Sequence, residues 1–124
     1  MTISFLIIIL IAGVKILENL KDIYNYLLDK KCKDIAIYDL SSEGQSFDYL
    51  IAVTNSTAAN NKKLALTLME DIGLEKFPEG YNKGEWIVYD FDDIVIHSFI
   101  PTTRSKYNMD RLWQSKKVDN NLLV

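Results

Sequence analysis

Enzyme chemistry needs a side chain of tuned protonation, a bound metal or an activated nucleophile, and this chain offers few candidates. His97 is its single histidine. A general base could use that imidazole, but it stands between Ile96 and Ser98 in a strand-like run. Alternation puts it on one face with Val95 and Phe99, a setting that suits a hydrogen-bonded structural histidine or a contact residue better than a base. The carboxylates are more suggestive. Asp39 ends one strand-like run, Asp48 precedes another, and Asp90, Asp92 and Asp93 cluster about a short link. Paired aspartates at strand ends can hold magnesium for phosphoryl transfer. Adjacent Asp92 and Asp93 would point to opposite faces of a strand, however, and aspartate in a hairpin turn commonly bonds its own backbone.

Two further features weigh against catalysis. Cys32 is the only cysteine. It can form no internal disulfide, it has no Cys/His cluster for zinc, and this usage fits a reducing compartment. Lys31 and Lys33 flank it and would favour its thiolate, but no general base lies nearby in sequence, so a small residue before a strand is the plainer reading. The stretch Val53-Thr54-Asn55-Ser56-Thr57 runs from a strand into a helix start, where phosphate can meet backbone N–H groups. It carries neither glycine nor lysine, so a P-loop or dinucleotide fingerprint is unsupported and helix capping accounts for it. The expectation is a non-catalytic module with no metal and no cofactor.

The elements that must position these residues are legible from periodicity. Ile16, Leu17, Leu20, Ile23, Tyr24, Leu27 and Leu28 form one face of an amphipathic helix, closed by Asp29-Lys30-Lys31 with its lysines near the negative helix end. Ile35 to Leu40 reads as a strand, and Ser41 to Ser46 as a turn around Gly44. The continuous apolar run Tyr49 to Val53 predicts a central strand covered on both sides. Ser56 or Thr57 caps a second helix with the inward stripe Leu64, Ala65, Leu68, Met69 and Ile72, and Gly73 stops it. A connector with Pro78, Gly80 and Gly84 leads to strands Glu85–Asp90 and Ile94–Phe99, joined as a hairpin through Phe91-Asp92-Asp93. Pro101 closes the second of these. A last helix over Tyr107 to Ser115 and a loose tail from Lys116 complete the chain. Hairpins interleaved with helices predict an α+β fold with a mixed sheet and flanking helices.

The 124 residues make one domain. It divides into an apolar extension over 1–14, a folded body over 15–115 and a tail over 116–124. The apolar run Ile3 to Val14 would reach about 18 Å as a helix, short of the ~30 Å of a bilayer core, and no basic residue precedes it as in an export signal. A segment that packs on the domain or self-associates is the expectation, with a membrane-tethered interaction protein as the alternative. Fourteen basic against seventeen acidic residues leave a net charge of −3. That balance disfavours a nucleic-acid grip and suits a basic protein partner.

One stretch is specific. Glu79-Gly80, the run Gly84 to Phe99 with Trp86, Asp90 and His97, then Arg104, Tyr107 and Arg111-Leu112-Trp113, resembles the Iojap-like ribosomal silencing factor family. The family pattern runs Glu-Gly, a Trp-bearing strand ending in Asp, a turn, a strand ending Val-His, then Arg, Tyr and Leu-Glu-x-Leu-Trp. Met109 and Asp110 stand here for that Leu and Glu. Lys31 to Leu40 and Phe47 to Ile51 are similar to the family's first two strands, so the resemblance runs in order from about Ile16 to Trp113. The chain departs from the pattern in having Thr54-Asn55-Ser56-Thr57 where Thr-Gly-x-Ser and a histidine are usual, and in the extension before Val14.

The resemblance implies a fold like the palm of nucleotidyltransferases without its catalytic carboxylates. It also implies a cytoplasmic translation repressor that binds the large ribosomal subunit at large-subunit ribosomal protein fourteen and blocks joining of the small subunit. No direct nucleic-acid readout and a homodimer when free are further implications. The alternative is a residual nucleotidyltransferase using Asp39, Asp48 or Asp90 with magnesium. The residues expected to meet the partner are Trp86, Tyr89, Asp90, His97, Arg104 and Tyr107. Trp86, Val88 and Asp90 share one strand face and Ile87 and Tyr89 the other; Trp86 fits core and contact equally. Arg104 and Tyr107 are expected on a loop at the sheet end, and Leu112 and Trp113 in the core.

Overall fold

The computed structural model describes residues 20–122; the readings made on Ile3 to Val14, Ile16 and Leu17 lie outside them. Helix α1, Leu20–Asp29, buries Ile23, Tyr26 and Leu27. Leu28, expected in its inward stripe, is 44% exposed. Tyr26 turns inward instead, and its hydroxyl donates to Asp71 Oδ2 at 2.6 Å. Four strands follow the expected order: β1 Lys33–Asp39, β2 Tyr49–Thr54, β3 Trp86–Asp90 and β4 Ile94–Phe99. They form one sheet in the order β1-β2-β4-β3. β1 and β2 are antiparallel, β2 and β4 parallel, and β3 and β4 antiparallel. The mixed α+β class is therefore as expected. So is the central place of β2, whose residues 50–54 are all buried.

Helix α2, Ala58–Ile72, crosses between β2 and the β3–β4 hairpin. Thr57 is its N-cap, with Oγ1 accepting the Asn60 N–H, and Gly73 ends it in the left-handed region at φ 79° with its N–H on Met69 O. Its buried face carries Leu64, Ala65, Leu68 and Ile72, and also Asn61. Asn61 is fully enclosed, and its amide is satisfied at both ends. Nδ2 donates to Gly84 O and to Ser98 O, each at 2.9 Å, and Oδ1 accepts from Asn55 Nδ2 at 2.8 Å. One side chain thus ties α2 to the entry of β3, to β4 and to the end of β2.

The two sheet faces are covered unequally. α1 and α2 pack on Ile35, Ile37, Ile51, Val53, Ile87, Tyr89, Ile94 and Ile96. On the other face a smaller cluster of Ala36, Tyr38, Leu40, Leu50, Ala52 and Phe99 meets Met109 and Trp113. These two come from the C-terminal segment, which differs from its sequence reading. In place of one helix over Tyr107 to Ser115 there are two short ones, α3 Pro101–Tyr107 and α4 Met109–Leu112. Pro101 closes β4 as expected, and it also opens α3 at a position where its missing N–H is harmless. Asn108, left-handed at φ 42°, breaks the path between the two helices. Trp113, expected in the core, is half-buried and packs on the second cluster, whereas Leu112 is 70% exposed and is no core residue.

The tail from Lys116 is docked rather than loose. Lys117 bridges to Tyr38, the Val118 N–H donates to Ile37 O at 2.7 Å, and Asn120 Nδ2 donates to Ile35 O at 2.8 Å. It thereby covers the free edge of β1. The edge of β3 is covered likewise by Glu79, which exchanges two backbone hydrogen bonds with Val88. These bridges reduce the unpaired edge backbone that invites aggregation. Among the described residues no helix is long and apolar enough to cross a membrane.

Asn61→Leu is expected to lower stability by about 3 kcal/mol, because two buried carbonyls and the Asn55 amide lose their partner together. Urea unfolding of both proteins measures it. An unchanged midpoint would mean that these groups find other partners.

Candidate functional site: an aromatic pocket beside the open sheet face

The C-terminal segment covers the β1–β2 side of its face and leaves the β3–β4 side, with Trp86, Val88, Val95 and His97, only half-buried. Trp86 is the hub of this region. Its indole Nε1–H donates to His97 Nδ1 at 2.9 Å. Its ring lies 5.1 Å from Phe99 and 4.8 Å from Tyr107, centroid to centroid. Trp86 is half-buried: its ring packs against buried Phe99 and against exposed Tyr107, so it is neither enclosed in the core nor fully free. An open pocket of about 480 Å³ adjoins it, walled by Phe77, Tyr81, Trp86 and Tyr107 with Thr103 and Pro78 between. Phe77 and Tyr107 are 57% and 54% exposed.

The connector explains why the sequence carries Glu-Gly before the tryptophan strand. Gly80 is left-handed at φ 86°, and a Cβ there would sit 2.0 Å from Trp86 O. Only glycine lets this turn lie flat on β3 and set Phe77 and Tyr81 beside the indole. Phe77 and Tyr81 escaped the sequence reading because they lie in a connector without periodicity. Their signal was aromatic residues among Pro78, Gly80 and Gly84.

His97 is held neutral. Burial pushes its pKa down from 6.5 to about 4. The acceptor role of Nδ1 toward Trp86 requires the unprotonated ring, since an imidazolium would set N–H against N–H. His97 is thus a structural histidine at the open face, one of the two roles expected of it.

The other expected contact residues divide. Tyr89 is fully enclosed on the helix side, and its hydroxyl is 2.9 Å from Ser98 Oγ. Burial pushes this phenol well above its ordinary pKa. It faces the core because β3 alternates and Trp86 takes the open side, so Tyr89 leaves the contact set. Arg104 lies on α3 rather than on a loop. It donates four of its five N–H groups internally: two to Asp110 at 3.0 and 2.9 Å, one to Asp34 O at 2.6 Å and one to Thr54 Oγ1 at 2.8 Å. Asp110 also accepts from Tyr38 OH at 2.6 Å. Burial raises the Asp110 pKa, but the bonds from Arg104 and Tyr38 outweigh it and hold the carboxyl below its usual range. Arg104 is therefore a clasp that fixes α3 and α4 on the sheet, and Tyr107 is placed by it.

The strand-end aspartates act in turns. Asp39 Oδ1 accepts from Ser41 N at 3.0 Å and Ser41 Oγ at 2.6 Å, and Asp90 Oδ1 accepts the Asp92 N–H at 2.9 Å. Asp92 is left-handed at φ 66°. Among the described residues no three His, Cys, Asp or Glu side chains are grouped so as to hold a metal. Burial pushes the Cys32 thiol up to about 12, so the flanking lysines do not activate it.

With this geometry in view, residues 14–123 match the sequence pattern of the family described as "Ribosomal silencing factor during starvation". The chain belongs to that family. It is 32% identical over 95 residues to the ribosomal silencing factor RsfS of Chromobacterium violaceum, covering 73% of this chain and 78% of the relative. RsfS of Zymomonas mobilis is 31% identical over 98 residues, covering 76% and 74%. A more distant relative, 22% identical over 103 residues, is the mouse protein named mitochondrial assembly of ribosomal large subunit protein 1, of which the match covers 45% and of this chain 77%. Among solved structures, a Chromobacterium violaceum protein superposes with a TM-score of 0.69 at 31% identity, over 81% of this chain and 87% of that one. A Bacillus halodurans protein gives 0.61 at 26%, over 77% and 91%. The α+β fold and the silencing-factor family are thus shown independently of one another.

Two outcomes check the site. Gly80→Ala should cost about 3 kcal/mol in thermal unfolding, whereas Gly44→Ala, with open space around it, should cost about 1 kcal/mol from left-handed backbone alone. For His97 the folded pKa lies below the unfolded one, so its share of stability is complete above about pH 6.5 and is lost as pH falls toward about 4. The protein should be about 1–2 kcal/mol less stable at about pH 5 than at about pH 7 through this group. His97→Gln should remove that share, and equal slopes in both proteins would refute it.

Proposed function

We propose that the protein docks on the large ribosomal subunit through the face centred on Trp86, and that its bulk excludes the small subunit and so lowers translation. The observation that carries this reading is the aromatic group Phe77, Tyr81, Trp86 and Tyr107 around an open pocket, in a chain of the silencing-factor family. Exposed aromatics backed by a rigid sheet are the usual hot spots of protein interfaces. The relative named for large-subunit assembly favours the large subunit over the small one as the target.

Asp90, exposed at the end of β3, and half-buried His97 border the Trp86 face. They complete a contact set of Trp86, Tyr107, Phe77, Tyr81, His97 and Asp90. The protein partner in this reading is large-subunit ribosomal protein fourteen, and the place of action is the cytoplasm. Regulation follows from steric occlusion, so the protein acts without turnover and as no enzyme. A homodimer in the free state would have to open before docking if it used the same face.

Co-sedimentation with purified large subunits tests docking, and mixing both subunits in the protein's presence tests occlusion. Unaltered joining at saturating protein would sink the reading. Tyr107→Ala separates contact from stability, since Tyr107 is 54% exposed. Affinity for large subunits should fall about tenfold or more while the melting temperature barely moves.

A further inference from the structure

The chain's net charge of −3 conceals a segregation. Asp39, Asp48, Asp90, Asp92 and Asp93 all lie at one end of the sheet, where β1 and β3 finish and β2 and β4 begin. At the opposite end, on the helix side, an open cleft of about 490 Å³ lies between the α1–β1 turn and the first turns of α2. Lys30, Lys31, Lys33 and Lys63 line it, with Asn55, Ser56, Asn60 and Thr67.

These lysines are not used up by the fold. The last carbonyls of α1 already accept backbone N–H groups: Lys30 N on Tyr26 O, Lys31 N on Leu28 O and Cys32 N on Leu27 O. Capping of that helix therefore does not require their ammonium groups. Lys30 is partly neutralised by Asp71 at 3.7 Å and Asp29 at 4.0 Å, and lies over the Tyr26 ring. Among the described residues no ion pair engages Lys31, Lys33 or Lys63. Asp34, the carboxylate next to Lys33, lines a different cavity with Tyr38 and Arg104.

We infer that this cleft binds the phosphodiester backbone of double-helical RNA. Lysines are point charges suited to phosphate. The cleft has no aromatic side chain on which a base could stack, which argues against readout of single strands. It also lacks the glycine-rich turn of a nucleotide site. What it offers is a set of cations beside the Ser56 hydroxyl and the second amide proton of Asn60, the Asn55 amide and Thr67 hydroxyl being bonded within the protein. Such a set suits phosphate without sequence preference. The inference deepens the docking reading and rests on it for its biological setting. Thr54, paired with both Lys33 and Phe99, and Trp86, paired with Phe99, put the cleft and the aromatic pocket at the same end of the sheet on opposite sides. A body docked at that end could meet protein on one side and RNA on the other.

The test uses the full chain and a labelled RNA hairpin duplex of mixed sequence, read by fluorescence anisotropy. Engagement of about three lysines predicts a log–log salt slope near −2.7, or roughly a 40-fold loss of affinity between about 50 and about 200 mM salt. Lys31→Gln, Lys33→Gln and Lys63→Gln together should abolish most of the binding and flatten the slope. Lys76→Gln with Lys117→Gln, away from the cleft, should leave both nearly as they were. Equal binding by the cleft variant and its parent overturns the proposal. So does a parent that fails to bind duplex at about 50 mM salt, or one that takes up inorganic phosphate while ignoring the duplex. Because the assay contains no ribosome, loss of large-subunit docking with duplex binding intact would refute only the docking reading.

Discussion

The parallel pairing of β2 with β4 at the centre of the sheet is the constraint from which the rest follows. A parallel pair is normally covered on both faces, and it cannot be joined by a hairpin. The chain meets the second requirement with α2 and the incoming β3, and the first on the helix side with α1 and α2. Among the described residues, the other face is covered by the short pieces after Pro101. They reach across β1 and β2, where the Arg104–Asp110–Tyr38 clasp holds them. The β3–β4 side is left with half-buried aromatic and branched side chains. Among the described residues, the open face is thus what is left after the central strands are covered.

Trp86 serves structure and, on the proposed docking reading, recognition as well. Its ring adds buried area against Phe99, its N–H is satisfied by His97, and its remaining edge is offered with Tyr107 to the outside. An indole whose polar atom is paired internally contributes apolar contact to a partner without leaving a donor to be desolvated. The backbone around this residue is set by Gly80, which leaves room for Trp86 O, and by Asn61, which bonds Gly84 O. On the proposed docking reading, recognition would depend on residues that a partner never meets.

Much of the fold was legible in the sequence because alternation and helical periodicity report burial directly. The run Ile94–Phe99 gave β4, Tyr49 to Val53 gave the central strand, and Thr57 and Gly73 bracketed α2. What was illegible depended on tertiary partners. Asn61 breaks an apolar stripe with a polar residue, and only the carbonyls of Gly84 and Ser98 explain it. Lys117 and Val118 lie in a stretch too short and polar for a strand signal, yet β1's free edge supplies their pairing. Arg104 and Tyr89 have contact-residue chemistry, and only the fold shows that both are satisfied internally. Alternation told which residues share a face of β3, but the direction of that face was settled by where α2 packs.

Charge carries the same lesson at a larger scale. A net charge is a sum, and the field that a partner meets near the surface depends on arrangement within about one Debye length, roughly 8–10 Å. Asp39, Asp48, Asp90, Asp92 and Asp93 lie at one end of the sheet, and the cleft lysines lie at the other beside Asp29, Asp34 and Glu85, so the two ends present different local fields. On the proposed reading, a polyanion would draw the lysine cleft inward and leave the aspartates outward. The aromatic pocket shares that inward end with the lysine cleft. Orientation by charge would therefore bring the apolar contacts to the partner's surface before any of them forms, and a negative chain can approach an RNA-rich particle without being turned away from it.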